Sequence, residues 1–81
     1  MYYVYLIKSS LDQSQRYIGT TTDLKKRMIE HNTGKSTHTR KYMPWELEAY
    51  VAFQGKQKAY DFEKYLKSHS GRAFAAKRLW G

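Results

Sequence analysis

Residues 4–19, VYLIKSSLDQSQRYIG, contain the segments that decide the fold. Side chains of residues 2–8 alternate between two faces, which is the period of a β-strand. The polar run 9–15 is typical of a turn, and residues 16–20 form a second short strand. The sequence therefore predicts an antiparallel hairpin with a rather long loop.

Two tyrosines take equivalent places in this hairpin. The alternation puts Tyr5 and Tyr17 on the face opposite Val4 and Leu6. Gly19 shares the side of Tyr17 and leaves that spot open, and a glycine within a strand often marks close approach of backbone or ligand. Tyrosines are common strand residues, so their structural role competes with a role in an active site.

The remaining chain predicts one more strand and three helices. Thr21 or Thr22 can cap the first helix and Ser70 the last, and Gly34 is a natural helix stop. Residues 45–53 alternate, and five apolar side chains are predicted to share one face: Trp45, Leu47, Ala49, Val51 and Phe53. The predicted elements are a helix at 23–32, a basic loop at 33–44, the strand at 45–53, and helices at 56–67 and 70–79.

The element order β-β-α-β-α-α predicts an α/β (α+β) fold, with a small three-stranded antiparallel sheet flanked by helices. A chain of 81 residues suits a single domain, residues 1–81. Cysteine is absent, which excludes disulfides and thiolate metal sites. No apolar run is long enough for a membrane span, and the N-terminus lacks the pattern of a signal peptide. A cytoplasmic protein is the expectation.

Charge gives the first indication of function. Fifteen Lys and Arg face seven Asp and Glu, for a formal net charge of +8. Such an excess favours a polyanionic partner, because each neutralised phosphate releases counterions. The basic residues are spread along the chain rather than gathered on one amphipathic helix, so nucleic acid is favoured over a membrane surface.

The helix at 23–32 carries two potential cations on its inward face. At about 100° per residue, Leu24, Arg27, Met28 and His31 fall within one narrow arc. An arginine in such a position often extends its head group to solvent at the edge of the face. A catalytic role needs further groups nearby.

One carboxylate lies in the apolar stripe of the helix at 56–67. Glu63 follows the spacing of Ala59, Phe62 and Leu66. A carboxylate on an apolar face must be paired, protonated or bound to metal. Both an ion pair with Arg27 or a nearby lysine and a metal site remain open.

Two further histidines carry less information. His38 in the basic loop and His69 near a helix junction are predicted to be exposed. The chain has no closely spaced histidine pair of the kind that binds zinc, and no glycine-rich phosphate loop.

Together these pieces resemble the GIY-YIG nuclease domain family, in particular the single-domain bacterial branch related to the catalytic N-terminal domain of the excision-repair nuclease (excinuclease). The tripeptide Val4-Tyr5-Leu6 is similar to the first family tripeptide in this branch, and Tyr17-Ile18-Gly19 matches the second outright. The run TTTDLKKRMIEHN at 20–32 is similar to the first helix of the family, and FEKYLKSHSGRAFAAKR at 62–78 to its C-terminal part.

The resemblance implies an endonuclease that cuts phosphodiester bonds with a divalent metal, Mg²⁺ or Mn²⁺. It implies that Glu63 is the metal ligand, that Tyr17 acts as general base or orients the attacking water, and that Tyr5 hydrogen-bonds within the site. Arg27 would hold the scissile phosphate, and His31 would assist on the same helix face. Whether Tyr17 or a hydroxide supplied at the metal takes the proton stays open, because an ordinary phenol with a pKa near 10 is a costly base at pH 7.

The basic remainder is expected to contact a DNA backbone. Nicked, branched and single-stranded DNA, and a protein partner for targeting, all stay open. Tyr42 and Trp45 are candidates for stacking on unpaired bases, although Trp45 also suits the core. The predicted contact residues are Lys35, Arg40, Lys41, Lys67, Arg72, Lys77 and Arg78.

Two other functions remain open. Many family members carry an asparagine in the C-terminal helical region, whereas the single asparagine here is Asn32. A nucleic-acid binder that keeps the fold without catalysis is therefore one alternative. A protein-interaction module, such as a dimer using exposed tyrosines, is the other.

Overall fold

The computed structural model describes all residues, 1–81. Its sheet contains three antiparallel strands in the order β2-β1-β3, so β1 is central. The strands are β1 (Tyr2–Ser9), β2 (Arg16–Thr21) and β3 (Trp45–Phe53). The predicted hairpin is confirmed, with Leu6 paired to Ile18.

Three helices complete the predicted α+β fold, which is confirmed in its element order. They are α1 (Leu24–Asn32), α2 (Lys56–Leu66) and α3 (His69–Arg78). A short 3₁₀ turn, Arg40–Tyr42, lies within the predicted basic loop. None of these helices combines the length and the apolar character needed to cross a bilayer.

The caps of two helices differ from those predicted. Asp23, not Thr21 or Thr22, caps α1, because its side chain accepts the backbone N–H of the residue three positions on. Aspartate is a better N-cap than threonine, which explains the choice. Ser68 caps α3 in the same way, and Ser70 lies inside the helix.

Each face of the sheet is covered by helix. On one face α2 and α3 cover the sheet, and the buried residues of this layer are Val4 and Leu6 of β1, Ala59 and Leu66 of α2, and Ala75 of α3. On the other face α1 contributes Leu24 and Met28, which pack on the buried cluster of Tyr5, Ile7 and Trp45. The residues proposed for chemistry on β1 and α1 therefore meet in this second layer.

An irregularity in β3 overturns the prediction that its five apolar side chains share a face. Leu6 pairs with Ala49, whereas the next residue of β1, Ile7, pairs with Leu47, so the register skips Glu48. A bulge moves the side chains beyond it to the other face. Trp45 therefore packs beside Tyr5 rather than with the α2–α3 layer.

Candidate active site

Gly19 makes room for the phenol of Tyr5. The two residues are cross-strand partners, and a Cβ on Gly19 would lie 2.6 Å from the phenol oxygen of Tyr5 and 3.0 Å from the Tyr17 ring. The ring centroids of Tyr5 and Tyr17 are 6.3 Å apart on the same face, as predicted. The space above Gly19 is therefore filled by Tyr5 rather than open.

A hydrogen-bond chain fixes Tyr5 against α1 and the loop that follows it. Arg27 Nε donates to the Tyr5 hydroxyl over 3.2 Å, and the same hydroxyl lies 2.8 Å from His31 Nε2. His31 Nδ1 lies 2.7 Å from Thr39 Oγ1. Arginine has no acceptor, so the hydroxyl proton of Tyr5 goes to Nε2, and Nδ1–H donates to Thr39.

Burial keeps both members of this pair neutral. Tyr5 is only 1% exposed, and burial raises its pKa to about 12, against the opposing influence of the hydrogen bond and charge of Arg27. His31 is fully buried, and its burial together with the nearby charge of Arg27 lowers its pKa to about 4. At pH 7 the pair therefore acts as a rigid, uncharged support for Arg27.

Arg27 remains partly accessible. Burial disfavours its charge, but hydrogen bonds to Tyr5 and Glu30 outweigh this and raise its pKa above the usual value. Nη1 lies 3.1 Å from the Glu30 carboxylate, and the side chain is 31% exposed. Nε and Nη1 are occupied, which leaves Nη2 for an oxygen of a bound anion.

Glu63 reaches the site from the α2 layer. The hydroxyl of Thr20 on edge strand β2 donates to Oε1, and Lys67 Nζ lies 2.8 Å from Oε2. Of the two ion pairs left open by the sequence, the one with a nearby lysine forms and the one with Arg27 does not. The carboxylate is close enough to the cluster for its charge to contribute to the raised pKa of Tyr5.

The donors available suit one hard cation rather than a closed metal cage. No group of three or more His, Cys, Asp or Glu side chains is placed to hold a metal. Mg²⁺ in nucleotide chemistry is commonly held by one or two carboxylates, with water and substrate phosphates completing its shell. The Glu63 side chain is 22% exposed, so a hydrated cation could reach its carboxylate from solvent.

Comparison with known proteins identifies the architecture. A family model described as the GIY-YIG catalytic domain matches residues 1–77. The chain belongs to the GIY-YIG family. A UPF0213 protein of Streptococcus pyogenes serotype M5 is 36% identical over 72 residues, 88% of this chain and 76% of that protein. A UPF0213 protein of Streptococcus agalactiae serotype V is 38% identical over 72 residues, 88% of this chain and 80% of that protein.

A solved structure gives the same result for the fold. The solution NMR structure of the UPF0213 protein BH0048 from Bacillus halodurans superposes with a TM-score of 0.56 at 31% identity. The match covers 95% of this chain and 84% of that one. The resemblance drawn from the two tripeptides is thus confirmed, and membership of the GIY-YIG family implies a nucleic-acid substrate.

Two hydroxyl residues that support this GIY-YIG site were not predicted. The hydroxyl of Thr39 accepts a hydrogen bond from Nδ1–H of His31, and its carbonyl accepts the indole N–H of Trp45 over 2.7 Å. Thr20 holds Glu63. Threonines in a loop and at a strand end carry no distinctive pattern, so only the packing of α1 and α2 reveals them.

The cations predicted to contact nucleic acid all lie on the surface, whereas one of the two aromatic candidates does not. Trp45 is buried, with 5% of its area exposed, which confirms the core alternative for this residue. His38 and His69 are exposed, as predicted. All seven predicted cations are exposed: Lys35, Arg40, Lys41, Lys67, Arg72, Lys77 and Arg78.

Proposed function

We propose that the protein is an endonuclease that hydrolyses phosphodiester bonds in DNA with a divalent metal and little sequence specificity. One observation carries the proposal. Side chains distant in sequence converge around edge strand β2, where Arg27 is hydrogen-bonded to Tyr5 and the carboxylate of Glu63 is hydrogen-bonded to Thr20. Membership of the GIY-YIG family supports it.

Arg27 is the proposed phosphate ligand. Tyr5 binds its guanidinium at Nε and Glu30 binds it at Nη1, which leaves Nη2 without a hydrogen-bond partner in the protein. Guanidinium groups bind phosphate oxygens through charge-assisted hydrogen bonds. An arginine fixed before substrate binds loses little side-chain entropy on binding and favours the extra negative charge of the transition state.

The two tyrosines have different parts in this proposal. Tyr5 is buried, neutral and bonded to both Arg27 and His31, so it positions the guanidinium and is not a base. Tyr17 is half-buried, and its ring lies 5.3 Å from that of His31, centroid to centroid. Tyr17 is therefore the phenol that can reach the attacking water, as base or as orienting group.

Glu63 is the proposed metal ligand. A divalent cation there would act as a Lewis acid on the phosphate and stabilise the charge on the leaving oxygen. Lys67 contacts the carboxylate as a helical i,i+4 neighbour and its side chain is 51% exposed. Such exposed pairs contribute only about 0.3–0.5 kcal/mol, so a cation or substrate can displace the lysine.

The experiment compares nicked, branched and fully paired DNA with Mg²⁺ or Mn²⁺. Glu63→Gln should abolish cutting while leaving DNA binding unchanged. Asp61→Asn is the matched control, because Asp61 lies exposed on the same helix and its side chain accepts a hydrogen bond from Gln57. Cutting by Glu63→Gln at the wild-type rate would show that the assignment of the metal ligand is wrong.

A non-catalytic nucleic-acid binder is the second candidate. The observation in its favour is that both oxygens of Glu63 already have protein partners, Thr20 and Lys67. This candidate predicts salt-dependent DNA binding with no cleavage of any of the substrates in either metal. Cleavage lost in Glu63→Gln at unchanged affinity would eliminate it.

A further inference from the structure

A cleft of about 640 Å³ runs beside edge strand β2, between that strand and helices α2 and α3. Its floor is apolar and includes Ile18, Leu66 and Ala75. Its walls carry the groups that matter for binding: Arg16, Tyr17, Lys67, Arg72 and Trp80. No carboxylate lines it.

The cleft opens directly onto the candidate active site. Tyr17 belongs to both, since its ring also contacts His31. Lys67 belongs to both as well, because it reaches from the cleft to the carboxylate of Glu63. A polymer whose reacting phosphate lies near Tyr17 and Glu63 would therefore continue into this cleft.

The two arginines of the cleft form no ion pair within the protein. Arg16 and Arg72 are exposed and take part in none of the three ion pairs of the fold. The guanidinium of Arg16 instead lies 4.8 Å from the centroid of the Trp80 ring. Stacking of this kind holds the cation in place while its hydrogen-bonding edge stays free.

A groove lined by both cations and aromatic rings has the chemistry that binds single-stranded nucleic acid. The cations track the phosphates, and the rings and guanidinium planes accept unpaired bases by stacking. The volume is within the range of pockets that enclose a small-molecule ligand. It therefore suits a few nucleotides of one strand rather than a paired duplex.

We propose that this cleft, lined by Arg16, Arg72 and Trp80, binds the unpaired strand that adjoins the scissile phosphate. The inference rests on the proposed endonuclease function and narrows its substrate to nucleic acid with an unpaired arm next to the cut. Arg16 is added to the nucleic-acid contacts predicted from sequence. Lys67 and Arg72, which were predicted, are assigned to the lining of this cleft.

The test uses the full chain without divalent metal, so that binding is measured apart from cutting. Fluorescence anisotropy follows a short single-stranded DNA, the same sequence as RNA, and the matched duplex, each over a range of salt. Arg16→Gln/Arg72→Gln is compared with Lys25→Gln/Lys58→Gln, which removes the same charge from exposed residues outside the cleft. Thermal melts establish that both variants are folded.

The cleft variant should lose about tenfold in affinity for the single strand, and its salt slope should fall by about 0.7 for each arginine removed. The control variant and the duplex should change much less. Equal losses in the two variants, equal losses for single strand and duplex, or displacement of the oligonucleotide by polyglutamate as readily as by DNA would each overturn the inference. If the arginine double variant unfolds, Arg72→Gln alone decides, because the Arg72 side chain takes part in no ion pair of the fold.

The outcomes separate the cleft from the nuclease. If the wild-type protein cuts DNA but both double variants bind the single strand alike, the cleft proposal is wrong and the endonuclease function stands. If the protein cuts nothing but the cleft variant selectively loses affinity for the single strand, the cleft proposal stands and the endonuclease function is wrong. A difference between the DNA and RNA arms identifies which polymer the cleft takes.

Discussion

The contact between Gly19 and Tyr5 yields the sharpest prediction, for the variant Gly19→Ala. The new methyl group would stand 2.6 Å from the phenol oxygen and 2.8 Å from Cζ of Tyr5, whereas ordinary contact begins at 3.4 Å. Tyr5 is buried and bonded to both Arg27 and His31, so it has little freedom to retreat. The collision therefore strains the centre of the α1 layer.

The expected destabilisation follows from two effects. Overpacking a tight interior costs about 1–3 kcal/mol, and loosening a buried hydrogen bond adds about 1 kcal/mol. Replacing glycine by alanine also stabilises the protein by about 0.4–1 kcal/mol, because it lowers the conformational entropy of the unfolded chain. The net loss in the free energy of unfolding is about 2 kcal/mol, which lowers Tm by about 8–16 °C in a domain of this size.

The assay is urea and thermal unfolding beside a matched control, Gly55→Ala. A Cβ on Gly55 meets nothing within 4 Å, and its φ of −96° suits alanine. Both substitutions change the unfolded chain alike, so their difference measures the collision, less the cost of placing alanine at the N-cap of α2. In a double-mutant cycle, Tyr5→Leu should remove most of the cost of Gly19→Ala. Equal stability of the two alanine variants, or strict additivity in the cycle, would refute the reasoning.

Three further predictions concern His31, Lys67 and Gly71. The folded pKa of His31, about 4, lies below its unfolded value of 6.5, so the unfolded chain takes the proton first. The free energy of unfolding should therefore fall by about 3 kcal/mol as the pH falls from 6.5 to 4. Urea unfolding at a series of pH values measures this dependence, and the His31→Gln variant should lack it. Lys67→Met should tighten Mn²⁺ binding about twofold by calorimetry, because the lysine competes for Glu63; weaker binding than in Lys64→Met would contradict this. Gly71→Ala should prevent stable folding, since its Cβ would lie 1.7 Å from a backbone carbonyl oxygen of α2; a cooperative melt near that of wild type would contradict it.

Local pattern was sufficient for the order of elements and for the shared face of the two tyrosines. A hairpin with period-two alternation leaves only one choice of side for Tyr5 and Tyr17 once the register is set. The bulge that skips Glu48 was not predictable, since an apolar alternation continues unchanged through it. The helix caps were also misassigned, because several hydroxyl and acidic residues compete over a few positions.

The partners of Glu63 depended on packing. Its place in an apolar stripe indicated that the carboxylate needs a partner, but the stripe does not say which one. Thr20 and Lys67 provide it because α2 crosses edge strand β2 on the face opposite Arg27. The support of Tyr5 by His31 and Thr39 likewise required the loop after α1 to fold back.

The sequence by itself determined the order β-β-α-β-α-α and the cationic character, because alternation, helical spacing and charge are local properties of the chain. Its resemblance to the GIY-YIG family implied the side chains proposed for chemistry. Tertiary structure decided which of those side chains touch, that Tyr5 and His31 are neutral, and that a cleft with unpaired arginines adjoins them. Contact and desolvation arise only when elements distant in sequence are packed together, and no local pattern encodes them.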